Sequence, residues 1–223
     1  MDLASTIYAP PRAKSPWRLE DMFAPAALRH YAFGRQALAE ALRLAGAAGK
    51  TSLLPAFVCR EVLAAVAEAG GRPAFYGVAP DLAPEEPQER WPDAAAVLAV
   101  DYFGWPQDLA PFEAYARRTG AVIIEDAAHA LFSRDAEGRR LGSRAPLGIL
   151  SPRKSLPLPN GGTLVSADPA RARDLPPQTA FKSAPGRRAA LKAAARPFLA
   201  LAGAKAARAA LSAWRAARAP APA

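Results

Sequence analysis

The 223-residue chain has few of the residues that build covalent or metal-bound frameworks. Its one cysteine, Cys59, excludes an intrachain disulfide and any multi-cysteine zinc site. Its two histidines, His30 and His129, lie far apart and share no metal-ligand spacing. No run approaches the ~20 apolar residues of a membrane-spanning helix. The opening residues MDLASTIYAPPRAKSPW carry prolines and charges but no apolar stretch of the kind a secretory signal needs. Together these absences predict a cytoplasmic protein. No internal repeat is evident.

Positive charge is also missing from most of the chain, although the whole carries +9. Residues 1–170 hold 18 Lys+Arg against 19 Asp+Glu, whereas residues 171–223 hold 11 against 1. A nucleic-acid partner is therefore not expected of the near-neutral body. The tail lacks the interleaved aromatic residues of a single-strand binder, which leaves contact with an anionic surface as its residual expectation. At 51% apolar and 22% charged residues, the chain is of ordinary globular composition and long enough to bury a core.

Three regions follow from the text. Residues 1–27 carry four prolines and no sustained period, and read as an extended lead-in. Residues 28–170 form the body. There GRQALAEALRLAG from Gly34 puts Leu38, Leu42 and Ala45 on one helical face. A second helix runs from Glu61 to Ala69 and closes at Gly70–Gly71, and a third lies within 108–120 and ends in glycine. Strands are expected at RPAFYGV, AAAVLAV, AVIIED, 147–151 and 163–166, and a solvated, acidic, proline-rich loop at 79–93. Apolar runs without alternation, separated by helices, predict a three-layer α/β fold with a mainly parallel sheet and helices on both faces. Residues 171–223 are Ala/Arg-rich with few large apolar side chains, and read as a basic helical tail.

Ligands of parallel α/β sheets bind beyond the carboxyl ends of the strands, which directs attention to the residues ending AVIIED and following GILS. Asp126 ends the first run. Read by itself it is a helix N-cap, and its neighbour Glu125 alternates to the other face as a structural group. Lys154 follows the second run in a proline-rich turn and precedes the pair Gly161–Gly162, which permits close backbone approach. Alone it is a solvated surface charge. An aspartate at one strand end and a lysine beyond the next nevertheless suit pyridoxal phosphate, which needs an amine for its Schiff base and a carboxylate to keep its pyridine nitrogen protonated.

Four segments in order carry a resemblance to a known family. They are FGRQALAEAL, LLPAFVCREVLAAVAEAGGRPAFYGV, LAVDYFGWPQDLAPFEAYARRTGAVIIEDAAHAL and EGRRLGSRAPLGILSPRKSLPLPNGGTLVSAD. From about Phe33 to Asp168 the chain resembles the large domain of the DegT/DnrJ/StrS family of pyridoxal-phosphate-dependent sugar aminotransferases. The resemblance implies the large domain of transferase fold type I. It places Lys154 at the Schiff-base lysine, which would also shuttle a proton, and Asp126 at the partner of the pyridine nitrogen. His129 falls at a Gln-or-His position near the cofactor ring, with a partly buried helix histidine as the plain alternative. Ser151 falls at the serine that binds the cofactor phosphate, although the family's interval to the lysine is longer. Gly34, Arg35 and Gln36 occupy the Ser-Gly-Thr-like turn whose amides hold that phosphate at a helix N-terminus, but no hydroxyl is present here. Cys59 stands where many members stack an aromatic ring on the cofactor.

The implied reaction moves an amino group from a donor such as glutamate to a keto-sugar, nucleotide-linked in the family, within a homodimer. Related sugar dehydratases carry histidine in place of the lysine, so Lys154 favours transamination. Members usually continue into a C-terminal small domain, which this chain is expected to lack. The other reading from that shortness is a non-catalytic relative acting as a binding or partner subunit.

Overall fold

The computed structural model describes residues 18–177. A seven-stranded sheet in the order β1-β7-β6-β5-β4-β2-β3 organises them. The strands are β1 (Ala27–Tyr31), β2 (Thr51–Pro55), β3 (Arg72–Tyr76), β4 (Ala96–Val100), β5 (Val122–Ala127), β6 (Leu147–Leu150) and β7 (Gly162–Ser166). Pairings among β3, β2, β4, β5 and β6 are parallel, and β7 runs antiparallel to both β6 and β1. The mainly parallel sheet expected from the apolar runs is thus present.

The central strands are buried on both faces because alternate residues feed two different cores. Leu98, Val122 and Ile124 face the side covered by α2 (Gly34–Leu44) and α3 (Arg60–Glu68), where Leu38, Leu42, Val62 and Val66 pack on them. Val97, Ala99 and Ile123 face the opposite side, covered by α4 (Ala110–Thr119) through Phe112 and Tyr115. Gly120 ends α4 in the left-handed conformation, at φ 76°, which glycine adopts without penalty. Helices therefore lie on both faces of the sheet, as predicted.

Four local readings need correction. A short helix, α1 (Leu19–Phe23), forms inside the stretch read as an extended lead-in, because Phe23 is buried against Leu28, Leu131 and Val165. β1 carried no strand signal: it is an edge strand in which only Leu28 is fully buried. The acidic loop at 79–93 is not wholly solvated, since Trp91 is buried and stacks on Tyr76 at 4.8 Å. The boundary drawn at residue 171 falls inside α6 (Pro169–Ala172), and the folded body continues through buried Leu175 to Pro176, whose carbonyl accepts from Arg29 Nε at 2.7 Å. Residues 178–223, the rest of the predicted helical tail, lie outside the described residues. Among the described residues no helix is long and apolar enough to cross a membrane.

Candidate active site

The parity of β5 decides where its two terminal carboxylates go. Asp126 shares a face with Ile124 and opens toward α2 and α3, while Glu125 points into the opposite layer. On the Asp126 side a cleft of about 560 Å³ is bounded by Gly34 and Arg35 at the start of α2, by Cys59 and by Ser151, Arg153 and Lys154 after β6. A second hollow of about 350 Å³ shares Cys59, Asp126 and Lys154 with it and is closed by Phe57, Phe103 and His129. Both volumes suit a small-molecule site.

No helix follows Asp126. It is part of β5, and its Oδ1 accepts from the Ala128 amide at 3.0 Å in the turn that carries His129. This overturns the N-cap reading of Asp126 and the helix reading of His129. Burial raises the Asp126 carboxyl above the usual carboxylate range, with the Ala128 amide and the Lys154 charge pulling the other way. Such a group is short of a positive partner.

Lys154 sits in the short helix α5 (Pro152–Ser155), and its Nζ lies 3.0 Å from His129 Nε2. Partial burial, reinforced by the nearby ammonium, lowers the His129 pKa. The neutral ring then accepts from Lys154 through Nε2 and carries its own proton on Nδ1. Ser151 is buried, yet its Oγ has only a long 3.5 Å contact to the Gly161 carbonyl, which leaves hydrogen-bonding capacity for a ligand. A Cβ on Gly34 would lie 3.5 Å from Ser151 Cβ, so the start of α2 and the end of β6 are close neighbours. Gly162 permits that approach, because a Cβ there would come within 2.3 Å of the Phe33 carbonyl carbon.

The structure thus brings Lys154, Asp126, His129, Ser151, Gly34, Arg35 and Cys59 to one place, and it separates Gln36 from them. The Gln36 side chain accepts from the Phe33 amide at 3.1 Å, and its own amide donates to the Phe33 carbonyl at 3.1 Å, so the residue closes its helix instead of facing the cleft. Cys59 is exposed at the N-terminal end of α3 and supplies no ring for stacking.

Residue-level reasoning missed Phe103. It adopts a left-handed backbone at φ 56°, unusual for a bulky residue, and its ring lies parallel to that of His129 with centroids 6.2 Å apart. The next residue, Gly104, brings this turn against the His129 carbonyl and the Ser133 hydroxyl. The signal in the text was the DYFG turn, an aromatic pair before a glycine at the end of an apolar strand. Arg144 was also missed. Behind the sheet it donates from Nε to Glu125 at 2.6 Å and from Nη2 to Asp101 at 2.8 Å, all three side chains being buried. Burial and the neighbouring Glu125 push the Asp101 carboxyl up to about 9, although the Gln107 amide and Arg144 oppose the shift.

Pyridoxal phosphate can be tested against these residues. The cleft offers an amine at Lys154, a buried carboxylate short of a positive partner at Asp126, and an under-used hydroxyl at Ser151 beside a helix start. These match the aldehyde, the pyridine nitrogen and the phosphate of that cofactor, so the residues present fit it.

Comparison with known proteins bears on the family of the chain. The profile of the DegT/DnrJ/EryC1/StrS aminotransferase family matches residues 31–183. The erythromycin biosynthesis sensory transduction protein EryC1 of Saccharopolyspora erythraea is 39% identical over 84 residues, covering 36% of this chain and 23% of that protein. A DegT/DnrJ/EryC1/StrS aminotransferase from Brucella abortus has a similar structure at 25% identity and TM-score 0.59, covering 70% of this chain and 45% of that one. DesV of S. venezuelae, also 25% identical, has TM-score 0.60 and covers 70% of this chain and 44% of its own. The chain therefore spans less than half the length of these structures and about a quarter of the curated relative.

Proposed function

The chain belongs to the DegT/DnrJ/EryC1/StrS aminotransferase family, and on that premise we propose that its cleft binds pyridoxal phosphate through Lys154 and serves amino transfer to a keto-sugar. The observation that carries this reading is the convergence of Lys154, Asp126 and His129 around the second hollow, with Lys154 Nζ 3.0 Å from His129 Nε2. When bound, pyridoxal phosphate supplies an electron sink that stabilises a carbanion next to the transferred nitrogen.

The protein's own residues have separate tasks. Lys154 would hold the cofactor through its amine, which is also placed to carry a proton. His129 accepts from Nζ and steadies the lysine, and its lowered pKa keeps it neutral for that purpose. Asp126 holds the proton of the pyridine nitrogen, and the resulting ion pair returns its carboxyl toward the ionised form. Ser151, with Gly34 and Arg35, takes the phosphate. The donor would be an amino acid such as glutamate, the acceptor a nucleotide-linked keto-sugar, and the working unit a homodimer. These specifics rest on the family resemblance.

Incubation with pyridoxal phosphate is expected to give visible absorbance that borohydride fixes on a peptide containing Lys154. Lys154→Ala is expected to abolish both signals while changing unfolding stability by no more than about 0.5 kcal/mol, since the side chain is exposed. Native protein that acquires neither signal overturns the proposal.

A further inference from the structure

The two arginines lining the main cleft differ in their partners. Arg35 Nη1 donates to Glu61 at 2.9 Å, so its charge is balanced. Arg153 forms no ion pair and no side-chain hydrogen bond among the described residues, yet its Nε is cut off from solvent without an acceptor. A buried N–H without an acceptor is costly to retain, and the same side chain lines the cleft. Arg140 also has a partnerless Nε, but it lies over Phe23 and lines neither hollow of the site.

The surroundings hold Arg153 in place. Its guanidinium carbon stands 5.7 Å from the centre of the Phe33 ring, and that of Arg35 stands 5.6 Å from the same ring. A Cβ on Gly161 would lie 3.5 Å from the Arg153 amide, and Gly162 fits against the Phe33 backbone. The aromatic ring, the glycine pair and the arginine are therefore one packed unit, next to the buried Ser151 hydroxyl and the start of the 11-residue helix α2. Arg35 is matched by Glu61, and Lys154 Nζ is engaged by His129. One guanidinium charge is left over.

We propose that Arg153 is an anion-binding residue that takes a phosphate group in this cleft, supplying the charge and donors that the α2 turn, without a hydroxyl, does not. A planar guanidinium fork suits two phosphate oxygens, and the Ser151 hydroxyl and the α2 amides suit the others. The phosphate belongs either to the cofactor or to a nucleotide-linked substrate. Only this choice of source rests on the function proposed above; the anion site itself does not.

The test uses the full chain and its Arg153→Gln and Arg153→Lys variants, titrated with inorganic phosphate, pyridoxal phosphate and pyridoxal. Arg153→Gln is expected to weaken inorganic phosphate about tenfold, the loss of one charge-assisted contact. Arg153→Lys is expected to recover part of this as a point charge without the fork. If the cofactor is the source, Arg153→Gln also weakens pyridoxal phosphate about tenfold and leaves pyridoxal unchanged. If a substrate is the source, pyridoxal phosphate binds as before and the tenfold loss reappears for inorganic phosphate added to the loaded protein, about the same contact being removed. Repeating the phosphate titration in Lys154→Ala separates the two proposals: a loss there on adding Arg153→Gln upholds the anion site even where covalent capture fails. Native protein that binds no phosphate, or native and Arg153→Gln proteins that bind every probe alike, overturns the inference.

Discussion

Glu125 and Asp126 are consecutive carboxylates on one strand, and the two faces of the sheet treat them in opposite ways. Behind the sheet, Glu125 receives two hydrogen bonds from Arg144, at its amide and at Nε, and Asp101 receives Arg144 Nη2 and the Gln107 amide. In that cluster only Asp101 Oδ2 lacks a partner. On the cleft side Asp126 receives one amide, Ser151 has one long contact, and Arg153 has no hydrogen-bond acceptor among the described residues. Buried polar groups are ordinarily satisfied, so the less complete face, which also opens into a cleft, marks where a ligand belongs, and the better-paired face marks a support.

The comparison is most severely tested at Arg144. Arg144→Met would leave the buried Glu125–Asp101 pair without its cation, and a loss of about 3–5 kcal/mol in unfolding free energy is expected by denaturant titration. A loss below 1 kcal/mol would break the distinction between the two faces.

A smaller effect per pH unit is expected from Asp101. Its folded pKa of about 9 lies well above the ordinary 3.8, so the native state holds a proton that the unfolded chain gives up. The stability this contributes is complete below the ordinary value and is lost as pH rises toward the folded value, with a slope of at most about 1.4 kcal/mol per pH unit. Asp101→Asn should flatten that decline in a series of melts across this window. An unchanged slope would assign the decline to other groups.

The smallest change is expected at Asp126. Asp126→Asn removes an under-compensated buried charge while keeping an oxygen for the Ala128 amide, so stability should stay level or rise by up to about 1 kcal/mol. Binding of pyridoxal phosphate should weaken by about tenfold at the same time, as the pyridine nitrogen loses its ionic partner. Opposite signs for fold and ligand would sharpen the contrast with Arg144, where the fold is expected to suffer.

Much of this architecture was legible locally. The apolar run AVIIED, the glycine that ends α4 and the Leu38/Leu42 stripe each specify an element through neighbours a few residues away. The order of the family segments marks Lys154, Asp126, His129 and Ser151 in the sequence alone. β1 was not legible, because an edge strand buries little and shows no alternation. The short helix before it depends on Phe23 reaching a core that only the assembled sheet creates.

The sequence by itself determined which side chains stand at the ends of β5 and β6, since strand length, parity and capping are short-range properties. Which of those side chains is satisfied and which stays open was decided only by tertiary structure. Arg144 finds Asp101 and Glu125, Phe103 finds the His129 ring, and Arg153 finds no hydrogen-bond acceptor among the described residues, across separations that no local pattern encodes. The physical reason is that hydrogen-bond completion depends on the strand order and on backbone approach at Gly104 and Gly162, and both exist only once the sheet has closed around its crossovers.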